Sequence, residues 1–210
     1  MATTIDSLHQ KVNNESVKGF LANDEAEALS NLANEVGRLG PCLEVGSYCG
    51  KSTIYLAEGC RQSESVVFAV DHHRGSEEHQ LGEEYHDPDL YNLCRSEFDS
   101  LPEFRRNMAS FGLEDYVIPV VSSSERLLAH WATPLAMVFI DGGHSPEVAY
   151  RDCMQWSQHL IPGGVLAIHD IFELPEDGGQ GPYLAYKAVL ARGGFYIRDR
   201  VNSLAILVRE

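Results

Sequence analysis

Four side chains have the types and spacing to do chemistry together: Asp141, His144, His169 and Asp170. Asp141 ends the apolar run Leu135-Ala136-Met137-Val138-Phe139-Ile140 and opens Asp141-Gly142-Gly143-His144, while His169-Asp170 ends Val165-Leu166-Ala167-Ile168. Carboxylate oxygen and imidazole nitrogen are ligands for Mg²⁺ or a similar divalent ion, which would lower the pKa of a hydroxyl bound to it. Without a metal, His144 or His169 could act as general base, because imidazole titrates near neutral pH. The plainer alternative is that His169 and Asp170 only hydrogen-bond loop termini. The candidate catalytic residues are therefore His144, His169 and Asp141, and the candidate metal set is Asp141, His169 and Asp170.

A second stretch points to a ligand. Cys42-Leu43-Glu44-Val45-Gly46-Ser47-Tyr48-Cys49-Gly50-Lys51-Ser52-Thr53 reads as strand, tight turn and helix. Gly46 and Gly50 lack a Cβ, so the backbone can approach a ligand closely, and the helix behind them offers free N–H groups to an anionic group. A P-loop needs four residues between its first Gly and Gly-Lys-Ser/Thr, and only Ser47, Tyr48 and Cys49 intervene. The dinucleotide fingerprint fails as well, because position 48 is Tyr. What remains is acid-x-Gly-x-x-x-Gly, with Lys51 expected to be a solvent-exposed residue of the first helical turn.

These residues need strands that end at a common edge. Val66 to Val70 is an uninterrupted apolar run closing in Asp71, as a parallel strand buried on both faces requires. Strands alternate with helical segments, the mark of βαβ units, whose ligands sit beyond the carboxyl ends of the strands. Asp71 then lies beside the glycine turn, where its carboxylate could accept from both hydroxyls of a ribose; a helix cap or a solvated strand end is the alternative. Further strands are expected at 43–45, 116–121, 165–168, 195–198 and 204–208. Helices are expected from Asp24, with Asp24 and Glu27 as a capping pair, from Ser52, over 101–111, from Glu125 to Trp131, from Ser145-Pro146 and over 183–191. Residues 1–40 are expected to form an N-terminal helical segment, with a short helix or a loose arm up to about Phe20. Residues 72–98, rich in His, acid and Tyr, are an insertion read as a lid or substrate-facing segment, a solvated loop being the alternative. Its histidines lack a recognised ligand spacing.

Composition sets the outer limits. The chain of 210 residues fits one domain. A formal net charge of −15 argues against nucleic acid as a partner. Five scattered cysteines form neither a disulfide framework nor a metal pattern, and a cytoplasmic location is expected. No apolar run reaches the ~20 residues of a membrane span.

The acid-x-Gly-x-x-x-Gly turn resembles the first motif of class I S-adenosylmethionine-dependent methyltransferases. Together with Asp71, Phe139-Ile140-Asp141-Gly142-Gly143-His144, Leu160-Ile161-Pro162-Gly163-Gly164 and Ile168-His169-Asp170, the chain looks like the bacterial members related to small-molecule and sugar O-methyltransferases. The resemblance covers about residues 40 to 172. It implies an α/β, Rossmann-like three-layer sandwich, with a mostly parallel seven-stranded sheet ending in an antiparallel hairpin. It further implies S-adenosylmethionine as cofactor, with Glu44, Gly46, Ser47 and Gly50 at the methionine part, Asp71 at the ribose and Ser123 or Ser124 at the adenine edge; Tyr48, His72 and Asp141 complete the expected cofactor set. In the family an acid and a small residue often face the adenine where this chain has Ser122-Ser123-Ser124, and acids or acid-amide pairs stand where it has His169. The acceptor would be a hydroxyl of a small molecule, a sugar or natural product, with a divalent metal as an optional aid. A homodimer is an open expectation. Two other readings are a metal-dependent hydrolase or oxygenase, and a non-catalytic protein that binds an adenosyl ligand.

Overall fold

The computed structural model describes residues 4–76, 87–92 and 96–210. Helices α1 (Ile5–Asn14) and α2 (Asn23–Val36) lead into β1 (Cys42–Val45), α3 (Lys51–Ser63) and β2 (Val67–Asp71). A small antiparallel ribbon, β3 (Tyr91–Asn92) with β4 (Glu97–Phe98), precedes α4 (Leu101–Phe111) and β5 (Val117–Val121). Then follow α5 (Ser124–Leu128), β6 (Leu135–Ile140), α6 (Pro146–Trp156), β7 (Leu160–Ile168), α7 (Gly181–Arg192), β8 (Phe195–Val201) and β9 (Leu204–Arg209).

Seven strands form one sheet in the order β5-β2-β1-β6-β7-β9-β8. The first five run parallel, and β9 and β8 close the sheet antiparallel. Alternation along each strand explains the layers. On β6, Met137 and Phe139 join a core shared with α2, α3 and α4, while Val138 and Ile140 join one shared with α6 and α7. Strand β1 lies between two parallel neighbours, so Cys42 to Val45 are all buried; Leu43 and Val45 face α6, and Cys42 and Glu44 face α3. This is the Rossmann-like arrangement, and its topological switch falls between β1 and β6, where parallel sheets bind ligands.

Local departures from the expected elements have plain causes. At the N-terminus, where the sequence leaves a short helix and a loose arm both open, residues 5–14 form a helix with Leu8 and Val12 buried. Helix α2 is capped two residues earlier than the Asp24 and Glu27 pair implies: Ala22 is the cap, and Glu25 reaches back to accept from the Ala22 N–H at 3.1 Å. Strand β7 begins at Leu160, because the Pro162-Gly163-Gly164 stretch is an irregularity within the strand, with Gly163 at φ +77°. Helix α5 stops at Leu128, short of Trp131. Of the inserted segment, positions 77–86 and 93–95 lie outside the described residues. Helix α6 starts as read, with the Ser145 hydroxyl accepting from the Val148 N–H and Pro146 in the first turn.

Candidate functional site

Above the parallel tips lies a cavity of about 430 Å³, within the usual size of a small-molecule site. The turn after β1 forms its floor. Gly46 has φ +89°, and a Cβ there would come within 2.1 Å of the Asp141 carbonyl oxygen, so only glycine lets the β1 and β6 tips meet. Ser47 lines the cavity, is 2% exposed, and its hydroxyl has no hydrogen-bond partner among the described residues. Tyr48, in a left-handed conformation at φ +46°, turns its N–H to Asp71 Oδ2 at 2.8 Å. The His73 N–H reaches Asp71 Oδ1 at 2.7 Å. Asp71 and His72 line the cavity, so the carboxylate is fixed at its rim by two backbone donors while keeping lone pairs for a ligand.

Glu44 and Gly50, expected among the ligand contacts, do not line this cavity. The reason for Glu44 is the strand's alternation. Its side chain faces α3, where it accepts from Ser52 Oγ and Thr53 Oγ1, both at 2.5 Å. Burial pushes its pKa up to about 8, against the pull of those two hydroxyls. Lys51 also departs from expectation. It is half-buried, its ammonium donates to the carbonyls of Gly19 and Leu21 at 3.2 and 3.0 Å, and burial lowers its pKa. The strap Lys18–Leu21 is thereby tied against the cavity, whose wall it forms. On its other side Lys18 pairs with Asp87 and Asp89 at 2.6 and 2.9 Å.

The tips of β6 and β7 bring acids and imidazoles together, though not in the expected set. Ligand atoms of Asp141, His144 and Asp170 lie within 4.8 Å of one another, with His144 Nε2 and Asp170 Oδ2 3.1 Å apart. All three line the cavity. His169 turns the other way. It donates from Nδ1 to Asp141 Oδ1 at 3.1 Å and from Nε2 to Glu25 Oε2 at 3.0 Å, and is 6% exposed. Burial opposes its charge, but Asp141, Asp170 and Glu25 outweigh that and raise its pKa far above the ordinary imidazole value. With both ring nitrogens facing carboxylates, His169 is engaged by Asp141 and Glu25 and does not line the cavity. The same contact holds Glu25 down at about 2 despite its burial, helped by Ser203 and the Ala22 N–H. His144 and His169 likewise hold the Asp170 carboxyl well below the usual range, against burial. Asp170 itself sits at φ +56°, a conformation non-glycine residues adopt chiefly where surrounding structure enforces it.

At another wall, Ser122, Ser123 and Ser124 follow β5. The Ser124 hydroxyl is already engaged: it donates to Asp152 Oδ1 and accepts from Trp156 Nε1–H, both at 2.8 Å. Asp152 is a cavity residue that motif reading misses, 2% exposed, its pKa raised by burial. Glu25 is missed likewise.

Against known proteins, a family profile described as "Methyltransferase domain" matches residues 43–171. Among solved structures the chain is similar to an O-methyltransferase from Bacillus cereus in complex with SAH, at 17% identity over 98% of this chain and 90% of that one, TM-score 0.66. It is similar to the O-methyltransferase TomG from Streptomyces achromogenes, involved in tomaymycin synthesis and solved with SAM, at 15% identity, 98% and 88% coverage, TM-score 0.64. The O-methyltransferase NovP gives 18% identity, 95% and 88% coverage, and a TM-score of 0.66. These likenesses extend the shared fold across nearly the whole chain, and with the profile spanning β1 to the end of β7 the chain belongs to the methyltransferase domain family.

Proposed function

We propose that the protein transfers a methyl group from S-adenosylmethionine to a hydroxyl of a small molecule. The observation that carries this is the junction of the Gly46 cradle, the unpartnered Ser47 hydroxyl and the doubly anchored Asp71 along one cavity that ends at Asp141, His144 and Asp170. Ser47 and the N-terminus of α3 suit a carboxylate, Asp71 suits a pair of ribose hydroxyls, and Tyr48 and His72 flank them. Ser123 borders the base. The SAH and SAM of the Bacillus and Streptomyces proteins agree with this ligand.

The bound sulfonium supplies an already activated methyl group. The protein's share is to align the acceptor and take up its proton. Two carboxylates and an imidazole within 4.8 Å suit a divalent ion that binds the acceptor oxygen and lowers its pKa. The 3.1 Å contact between His144 and Asp170 supports a second reading, in which Asp170 orients His144 as general base without a metal. Net charge −15 and the acids at the cavity favour an uncharged or cationic small acceptor over nucleic acid. No helix among the described residues is long and apolar enough to cross a membrane. The described cysteines Cys42, Cys49, Cys60 and Cys153 are buried and unpaired, which supports a reducing, cytoplasmic setting.

Calorimetry with S-adenosylhomocysteine tests the cofactor: saturable binding is expected, and silence at millimolar ligand sinks the proposal. Transfer to a panel of hydroxylated acceptors, before and after chelation, separates the two readings. Loss on chelation with recovery on Mg²⁺ supports the metal, and unchanged turnover supports His144 as base.

A further inference from the structure

A carboxylate removed from water needs donors for both oxygens. Asp152, on α6, meets this for only one. Its Oδ1 accepts from the Ser124 hydroxyl at 2.8 Å and lies 3.6 Å from Arg151 Nε. Its Oδ2 has no hydrogen-bond partner among the described residues. That oxygen lies beside Gly142, 3.8 Å from where a Cβ on the glycine would stand, and both residues line the cavity.

The acceptor is also fixed in direction. Trp156 Nε1–H donates to Ser124 Oγ, so the serine's own proton goes to Asp152, and the carboxylate cannot turn without breaking this chain. Asp152 is 2% exposed overall and lines the cavity, so the surface that Oδ2 keeps opens on the cavity. Whatever occupies this part of the cavity is asked for an N–H or O–H at Oδ2. Gly142, Gly143 and Ser123 in the lining carry little or no side chain, which leaves room for a flat ring, and Val148 and Arg151 complete this part of the wall.

We propose that Asp152 accepts a hydrogen bond from the 6-amino group of the cofactor's adenine and so sets the preference for an adenosyl ligand. The proposal rests on the reading that an adenosyl cofactor fills the cavity, and it assigns base recognition to α6. Adenine has one strong donor, its 6-amino group; hypoxanthine presents a carbonyl oxygen at the same position, an acceptor that would face the carboxylate directly.

The test is calorimetry of the intact protein with S-adenosylhomocysteine and S-inosylhomocysteine. The wild type is expected to favour the adenosyl ligand roughly 10- to 100-fold, the range of a hydrogen bond to a charged group. In Asp152→Asn the side-chain carbonyl can keep the Ser124 bond while the amide N–H faces the cavity, so the preference should collapse or invert. A wild type that binds S-adenosylhomocysteine without preferring it overturns the proposal, whether or not the variant folds. So does a folded Asp152→Asn that binds both ligands more weakly by the same factor, which marks a purely structural role. A wild type that binds neither ligand removes the adenosyl reading itself, and this assignment with it.

Discussion

Glu44, under the glycine turn, and Glu25, behind the β6 and β7 tips, are the same residue type with almost no exposed surface, yet they are driven in opposite directions. Glu44 meets only hydroxyls, so burial dominates and pushes its pKa up to about 8, with the nearby charges of Asp141 and Asp71 adding to the push. Glu25 suffers the same burial, but His169 faces it at 3.0 Å and holds it at about 2. Burial sets the cost of a charge, and the partner decides whether the charge stays. The floor under the glycine turn thus pairs a carboxyl with hydroxyl donors, while the wall behind Asp141 and Asp170 holds an ion pair.

The difference is sharpest where charge faces the cavity. Asp141→Asn keeps size but removes the carboxylate, and is expected to lower kcat by about 10²–10⁴. Affinity for S-adenosylhomocysteine should stay within a few-fold, as calorimetry beside initial rates would read. An undiminished kcat would remove Asp141 from the reaction.

Glu25→Gln leaves the buried imidazolium without its second anion and should destabilise the fold by about 3–5 kcal/mol. For a chain of this size that is a fall in Tm of roughly 6–20 °C by calorimetric scan. The sign of the pH dependence follows from the lowered pKa. The stabilisation from Glu25 is complete above 4.5 and lost as pH falls toward about 2, so acid should narrow the gap between variant and wild type. A Tm equal to that of wild type would erase the contrast with Glu44.

Lys51→Ala removes two hydrogen bonds to the strap, and a loss of about 5-fold in S-adenosylhomocysteine affinity is expected from a net ~1 kcal/mol. Unchanged affinity would restore the picture of an exposed lysine. The smallest effect belongs to Glu44→Gln, within about 1 kcal/mol of wild type at pH 7 because an amide mimics the neutral acid. A raised pKa gives stability that is full below 4.5 and lost as pH rises through about 8. The variant's unfolding free energy should therefore be flatter over that window in urea titrations, and a steep loss on substitution would mean that Glu44 acts as an anion.

How far the sequence discloses all this depends on the range of the interaction. Strands bounded by Gly46, Asp71 and Asp141, the Ser145-Pro146 helix start and the closing hairpin are local signals, and each stands where its pattern predicts. The partners of His169 are not local: Glu25 is 144 residues away, and no motif joins an α2 acid to a β7 tip. A weak signal existed nonetheless. Glu25 shares helical spacing with the buried Leu29 and Leu32, and Asp152 shares it with Ala149 and Trp156, so each acid lies on an apolar stripe and needs an inward partner. Glu44 lies off the cavity for a related reason: strand alternation turns an acid of the glycine-turn motif toward α3, where it holds Ser52 and Thr53, while Gly46 and Ser47 line the cavity.

The strap over the cavity has a consequence in time as well as in space. Its two moorings differ in kind: Lys18 meets Asp87 and the largely exposed Asp89 near the surface, whereas Lys51 holds backbone carbonyls in a half-buried setting. Dissolved ions screen the first mooring far more than the second. Raising the ionic strength should therefore loosen the Lys18 edge of this wall, and faster stopped-flow release of S-adenosylhomocysteine at high salt is the expected reading. Two of the chain's many acidic residues thus tie the Lys18 end of the strap, and their hold is expected to weaken with salt while that of Lys51 persists.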